Sequence, residues 1–329
     1  MQPVIGDYAD VPEFVYGITR EIWEDRGIGG KLDKYYAPNC LVRAATGLAA
    51  DNRDVTAQTL ATLHQFPDRQ LVGEDVIWVD NGDGSFLSSH RLTSVMRHDG
   101  DGIYGRATGR VVKSRIIADC VFRDQKVTEE WLVRDQAAFA RCMGVEPCQM
   151  ARDICDRDLR TRGEITFYTP QRDLPGSYLP PQHDDPELEA YRRGWARIWD
   201  VKEPAAIRDL YFHGAAVAIP GGETVFGHAE LDRFVIGYLS SFPDARFAFE
   251  GSIVNHQPGR PTRVATRWAL TGTHCGFGHF GEPSGAVVYV MGLSHAEIVD
   301  GRVRYEWIVT DEVSIWKQIH AHLESRAGG

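Results

Sequence analysis

The run EEWLVRD at residues 129–135 returns as YEWIVTD at residues 305–311, and both copies end in an aspartate. Side chains alternate along a strand, so Tyr305, Trp307, Val309 and Asp311 share one face. If Trp307 lines a cavity, Asp311 faces the same space, as Trp131 and Asp135 do in the first copy. A carboxylate among aromatic and aliphatic walls has a raised pKa, so it takes and returns a proton near neutral pH. His98 and His274 each end a strand-like run and offer a donor or acceptor to a carbonyl oxygen. His295, on the penultimate strand, is a further candidate for the same cavity. These residue types support cofactor-free acid/base work on a carbon acid. In that scheme Asp311 removes an α-proton and His274 or His295 holds the enolate oxygen. Each has a plainer alternative: an Asp between strand and helix is a good N-cap, and a strand His often bonds within its sheet.

Other side chains bear on the same question. Arg91 and Arg267 lie inside apolar strands, where a guanidinium needs a carboxylate partner. Glu130 and Glu306 are the expected partners, with a clamp on an anionic ligand as the rival reading of Arg267. Trp199 and Tyr211, on early helices, are core residues or ligand stackers. GDGIYG (residues 100–105 include its glycines) and GFGHFG fit G-x-G-x-x-G, but strands flank both, so they read as bends in a sheet rather than dinucleotide loops. The six cysteines are scattered, and Cys148 with Cys155 lacks a second ligand pair for zinc. No metal cluster, nucleophile elbow or Ser-His-Asp order is evident.

These residues recur at a constant offset. Sliding the chain by 176 residues brings Ile22-Trp23 onto Ile198-Trp199, Phe66-Pro67-Asp68 onto Phe242-Pro243-Asp244, and Arg91 onto Arg267. His98 falls on His274, Glu130-Trp131 on Glu306-Trp307, and Asp135 on Asp311. The chain is a tandem duplication, with a first domain at 1–147, a linker at 148–186 and a second domain at 187–329. The linker is rich in Pro and charge, and the stretch from Val145 to Arg162 is expected to be helical and to pack on the first copy. Within the second copy, Leu188, Tyr191, Trp195, Ile198 and Trp199 follow helical spacing, as do Leu231, Phe234, Val235, Tyr238 and Leu239. Strand-like runs follow, and Asp300-Gly301 joins the last two as a tight turn. The expected fold is α+β: two tandem cone-shaped domains, each with N-terminal helices packed on a curved antiparallel sheet.

With FPD after the amphipathic helix, GTHCG in mid-sheet and DGRVRYEWIVTD near the end, each copy resembles the SnoaL-like polyketide cyclase family of the nuclear-transport-factor-2-like, ketosteroid-isomerase-like superfamily. The resemblance implies a cavity at the mouth of the cone, an acid/base role at Asp135 and Asp311, and a small, mostly apolar carbonyl compound as substrate. Aldol-type cyclisation, isomerisation, dehydration and hydrolysis are the reactions it implies, with no cofactor. The alternatives are a non-catalytic ligand-binding or regulatory protein, and a scaffold. The first copy has SVMRHDG where the second has LTGTHCG, so the second copy is the expected site.

A net charge of −10 argues against nucleic acid or an anionic membrane as partner. The opening MQPVIGDYADVPEF has no basic start and no apolar run, and nowhere is an apolar run long enough to span a membrane, so a cytoplasmic protein with free thiols is expected. The two copies are expected to pair as an internal pseudo-dimer, with a homodimer beyond that as an option.

Overall fold

The computed structural model describes residues 3–181 and 184–327. Residues 182 and 183 of the expected linker lie outside that range. The chain divides into two compact units, residues 1–146 with 166–179, and residues 147–165 with 180–329.

The first unit opens with α1 (Val11–Thr19), capped by Asp10, whose carboxylate accepts from Glu13 N at 2.8 Å. A π-helical turn over Arg20–Glu24 extends it. There follow α2 (Ile28–Tyr35), β1 (Tyr36–Ala44), β2 (Gly47–Ala49), α3 (Asn52–Gln65), β3 (Gln70–Asp80), β4 (Ser85–Arg97), β5 (Val111–Arg123), β6 (Lys126–Arg134) and α4 (Gln136–Met143). The strands form one sheet in the order β2-β1-β6-β5-β4-β3. It is antiparallel except between β1 and β6, which run parallel because β1 enters from the helices beside the last strand. Helices α1 and α3 cover one face, where Phe14, Ile18, Val55, Phe86 and Phe122 build the core.

The second unit holds α5 (Pro147–Arg162), α6 (Pro186–Trp199), α7 (Ile207–Leu210), β7 (Tyr211–Ile219), β8 (Glu223–Phe226), α8 (Gly227–Ser241), β9 (Arg246–Asn255), β10 (Thr262–Thr273), β11 (Val287–Val299), β12 (Arg302–Thr310) and α9 (Glu312–Ala327). Its sheet order, β8-β7-β12-β11-β10-β9, repeats that of the first. Helix α6 starts where Asp185 caps Glu187 N and Leu188 N and Pro186 takes the first helical position. The turns before the last strands match as well. Asp300 and Gly301 have positive φ, and so do Asp124 and Gln125, so the first copy keeps the turn without its glycine.

Three expectations are corrected. Helix α5, expected to pack on the first copy, packs on α9 of the second: Lys317 Nζ of α9 meets Asp158 Oδ2 at 2.9 Å, and His320 bonds Cys148 O at 3.1 Å. The expected linker, residues 148–186, is divided between the two units. Its residues 166–179 are tied to the first unit, where Arg43 holds Asp173 and Glu129 accepts from Ser177 N and Tyr178 N. Nor is the repeat gapless. Tyr36 pairs with Val127 as Tyr211 pairs with Val303, so Tyr36 and not Tyr35 is the counterpart of Tyr211. No helix among the described residues is long and apolar enough to cross a membrane.

Candidate functional site

The side chains of β6 that face the helices are Glu130, Leu132 and Arg134; Trp131 and Val133 point the other way. Together with α1, α3 and the inner faces of β4 and β5, they enclose a cavity of about 110 Å³ in the first domain. That is roughly eight times the ~10–15 Å³ that holds one water, enough for a small organic molecule. The walls mix apolar groups (Val15, Val55, Leu92, Ile116) with polar ones (Thr19, Gln58, Thr62, His90).

Glu130 is buried in this wall and accepts a hydrogen bond from Tyr36 Oη at 2.8 Å. Burial pushes its carboxyl above the ordinary range, while the Tyr36 bond and the charge of Arg134 pull it back only in part. His90, also fully enclosed, is pushed down to about 4 by the same loss of water, so its ring is neutral at physiological pH. Cys120 lines the cavity, but burial holds its thiol well above the normal range and leaves it a poor nucleophile.

A second cavity, of about 50 Å³, adjoins the first and shares Thr62, Arg69, Ile116 and Arg134 with it. Arg69 enters from the segment between α3 and β3 and is 7% exposed. Its Nε reaches Ser94 Oγ at 3.4 Å. Burial pulls its guanidinium down to about 9, and the positive charge of Arg134 acts in the same direction.

The second domain fills the equivalent space. Val15 is matched by Tyr191, Thr19 by Trp195, Gln58 by Phe234, Thr62 by Tyr238 and Leu92 by Trp268. Trp195 is fully buried and packs against Trp199, Trp268 and Phe247 with ring centroids 5.6–5.9 Å apart. Glu306, the counterpart of Glu130, accepts from Tyr191, Tyr211 and Trp195 Nε1. Burial still raises it to about 7 against those three donors. Arg69 and Arg134 become Ala245 and Thr310. Both cavities described here belong to the first domain, whereas the expected site was in the second.

The residues singled out from sequence fall into three places. Asp135 and Asp311 cap α4 and α9, accepting from Ala138 N and Ser314 N at 2.9 Å each; neither lines the two cavities. His98 and His274 close the Gly-rich loops. Their Nδ1 atoms meet Thr108 and Ser284 at 3.2 and 3.0 Å, their rings lie against Phe66 and Phe242, and burial lowers both, so they are neutral hubs. Those loops press on the preceding helix so closely that a Cβ on Gly100 or Gly276 would lie 2.0 Å from a helix carbonyl oxygen, which explains the recurring glycines without a nucleotide. Trp131, Arg267, His295 and Trp307 lie on the sheet faces opposite the helices. Trp199 and Tyr211 are in the filled core of the second domain.

The expected ion pairs also change partners. Arg91 Nε bonds Glu74 Oε2 at 2.7 Å, and Arg267 Nε lies 3.6 Å from Glu250 Oε2. Arg267 and Glu306 project from opposite faces of their sheet, so they cannot meet. Each acid used instead is the extra residue of a β-bulge on the neighbouring strand, which turns it toward the arginine. The cavity residues Tyr36, His90, Arg69 and Arg134 were not singled out from sequence, and Glu130, expected to pair with Arg91, instead lines the cavity. The usable signal was the change of residue size between the copies at positions 15, 19, 62 and 92.

Residues 189–319 match the family model described as SnoaL-like polyketide cyclase. No protein among those of curated function matches the chain. Similar solved structures include IdmH from Streptomyces antibioticus, provisionally a polyketide cyclase, at 20% identity over 40% of this chain and 98% of that one, with a TM-score of 0.34. AclR from Streptomyces galilaeus, provisionally a hydroxylase, is 21% identical over 41% of this chain and 85% of its own, with a TM-score of 0.35. An NTF2-like protein of unknown function from Exiguobacterium is 19% identical over 37% and 98%, with a TM-score of 0.30.

Proposed function

We propose, from the premise that residues 189–319 belong to the SnoaL-like polyketide cyclase family and that the first domain repeats the same strand order, that the first domain is the working one and performs proton transfer on a small carbonyl compound. The observation that carries this reading is Glu130: a buried carboxyl, raised by its surroundings, facing a cavity of mixed polarity. As carboxylate it takes a proton from the carbon beside a carbonyl. The electron pair moves to the carbonyl oxygen, and the neutral His90 ring is the donor assigned to the resulting enolate. Tyr36 holds Glu130 in place through its hydroxyl. Return of the proton to another carbon gives isomerisation; attack of the enolate on a second carbonyl gives an aldol-type ring closure. The second domain then serves as a filled partner of the same fold.

A second reading has its own support. Glu306 sits with its tyrosines in a core packed with aromatic rings, so the Glu–Tyr contact also works as a tie between helices and sheet. On that reading the first domain binds a ligand without turning it over.

The two readings separate in one experiment: exchange of α-protons for deuterium, followed by NMR, on a panel of small 1,3-dicarbonyl compounds. Wild type is expected to accelerate exchange for at least one of them. Glu130→Gln is expected to lose about 100- to 10,000-fold in rate, because an amide cannot accept the proton. Because the base must be ionised, the rate is expected to rise with pH through a value above the ordinary carboxylate range. Exchange that survives in Glu130→Gln, or binding with no exchange at any pH, removes Glu130 from catalysis.

A further inference from the structure

We infer that the first-domain cavity takes an anionic small molecule whose carboxylate or phosphate group is held between Arg69 and Arg134. This names the ligand class for the site proposed above and rests only on its being a ligand site, not on turnover.

Three other buried guanidiniums sit against acids, while a fourth, Arg263, donates to Gln257 Oε1 at 3.0 Å. Arg43 holds Glu129 and Asp173, Arg91 holds Glu74, and Arg267 lies by Glu250. Arg69, equally buried, and Arg134, half-buried, differ. Among the described residues, neither has a carboxylate within ion-pair distance; Arg69 has the Ser94 hydroxyl as its side-chain partner. Arg134 and Arg26 add positive charge beside Arg69, with the Tyr104 phenol acting the other way, and Arg26 is itself committed to the carbonyls of Trp23 and Pro67. A guanidinium taken out of water needs a counter-charge. Two planar forks converging on one space supply the geometry that a carboxylate or phosphate accepts bidentately. The one acid in the cavity lining, Glu130, lies outside ion-pair distance of both arginines, although it feels the charge of Arg134; a ligand anion supplies the near counter-charge.

The placement also orients the molecule. Arg134 and Glu130 are four residues apart on β6, so their backbones stand ~13 Å apart along the strand, and both side chains line the same cavity. The ligand's anionic end meets the arginines and its other end lies toward Glu130. The second domain works as an internal control. It has Ala245 and Thr310 at the arginine positions, and Tyr238 Oη fills the gap at 3.0 Å from Thr310 Oγ1. Both arginine charges are absent there.

The test is calorimetric titration of the full chain with benzoate, inorganic phosphate and the neutral isostere benzamide, with thermal melts alongside. Benzoate or phosphate is expected to bind and raise the melting temperature. If benzoate alone does so, the group is a carboxylate; if phosphate alone, a phosphate. Benzamide is expected to bind at least tenfold more weakly than benzoate. Arg134→Met and Arg69→Met are each expected to weaken the anion at least tenfold, and Arg69→Met without ligand is expected to melt no lower than wild type, since it removes an unbalanced buried charge. Glu130→Gln removes a negative charge and no donor, so it is expected to bind benzoate at least as tightly while losing proton exchange. That separates failure of this inference from failure of the acid/base assignment. Equal binding of benzamide and benzoate, no response to either anion, or wild-type anion affinity in the double variant Arg69→Met/Arg134→Met overturns the inference.

Discussion

Trp195→Ala is expected to destabilise the second domain by ~3–5 kcal/mol, while Thr19→Ala at the matching position of the first costs ~1 kcal/mol or less. The contrast follows from what each side chain does. Trp195 fills the cone: its ring touches Trp199, Trp268, Phe247, Phe249 and Tyr191, and its Nε1 donates to Glu306 at 3.1 Å. Removing it opens a void too enclosed to collapse and takes a donor from a buried acid. Thr19 borders a space that is already open, and its hydroxyl bonds the Val15 carbonyl of its own helix at 2.7 Å. Urea unfolding followed by near-UV circular dichroism of the tryptophan cluster measures the difference. A cost below ~1 kcal/mol for Trp195→Ala would mean that the aromatic cluster is not the core of that domain.

The second large effect is on pH dependence. Glu306 moves from an ordinary 4.5 to about 7 on folding. A raised acid favours the folded state while it is protonated. The stabilisation is complete below pH 4.5 and is lost as pH rises to about 7, because the unfolded chain ionises first. The loss amounts to ~3 kcal/mol across that window. Glu306→Gln keeps a carbonyl acceptor for one tyrosine and removes the ionisation. The variant is therefore expected to show a flatter stability profile between pH 4.5 and 7 and to gain on wild type as pH rises. Parallel profiles for the two proteins would show that Glu306 does not titrate in this range.

Much of the architecture was legible. Leu188, Tyr191, Trp195 and Ile198 wrote out α6 at helical spacing, and the repeat carried the same reading into the first copy, where α1 is weaker and runs into a π-helical turn. What failed was the phase of the last strand. On β6 both parities are apolar, Trp131 and Val133 on one side and Leu132 on the other, and on β12 Val309 and Ile308 are equally buried. A strand buried on both faces gives no contrast from which to tell inside from outside. Asp135 and Asp311 were read on the parity of Trp131 and Trp307; in the first domain the other parity, that of Glu130 and Arg134, lines the cavity. The Arg–Glu pairing failed for the same reason, and because a β-bulge that redirects Glu74 or Glu250 leaves no mark in composition. Arg69 was invisible for another reason: it lies in a loop after Phe66-Pro67-Asp68, where an arginine reads as a surface residue.

One fold occurs twice in this chain, with a cavity beneath its helices in the first domain and a packed aromatic cluster at the matching positions of the second. Crystals held under xenon test it without knowledge of any ligand, since xenon enters enclosed apolar space. That arrangement predicts a xenon peak against Val55, Leu92 and Ile116 of the first domain and none within the ring of Trp195, Trp199 and Trp268. A peak among those tryptophans, or none beside Leu92, would contradict it.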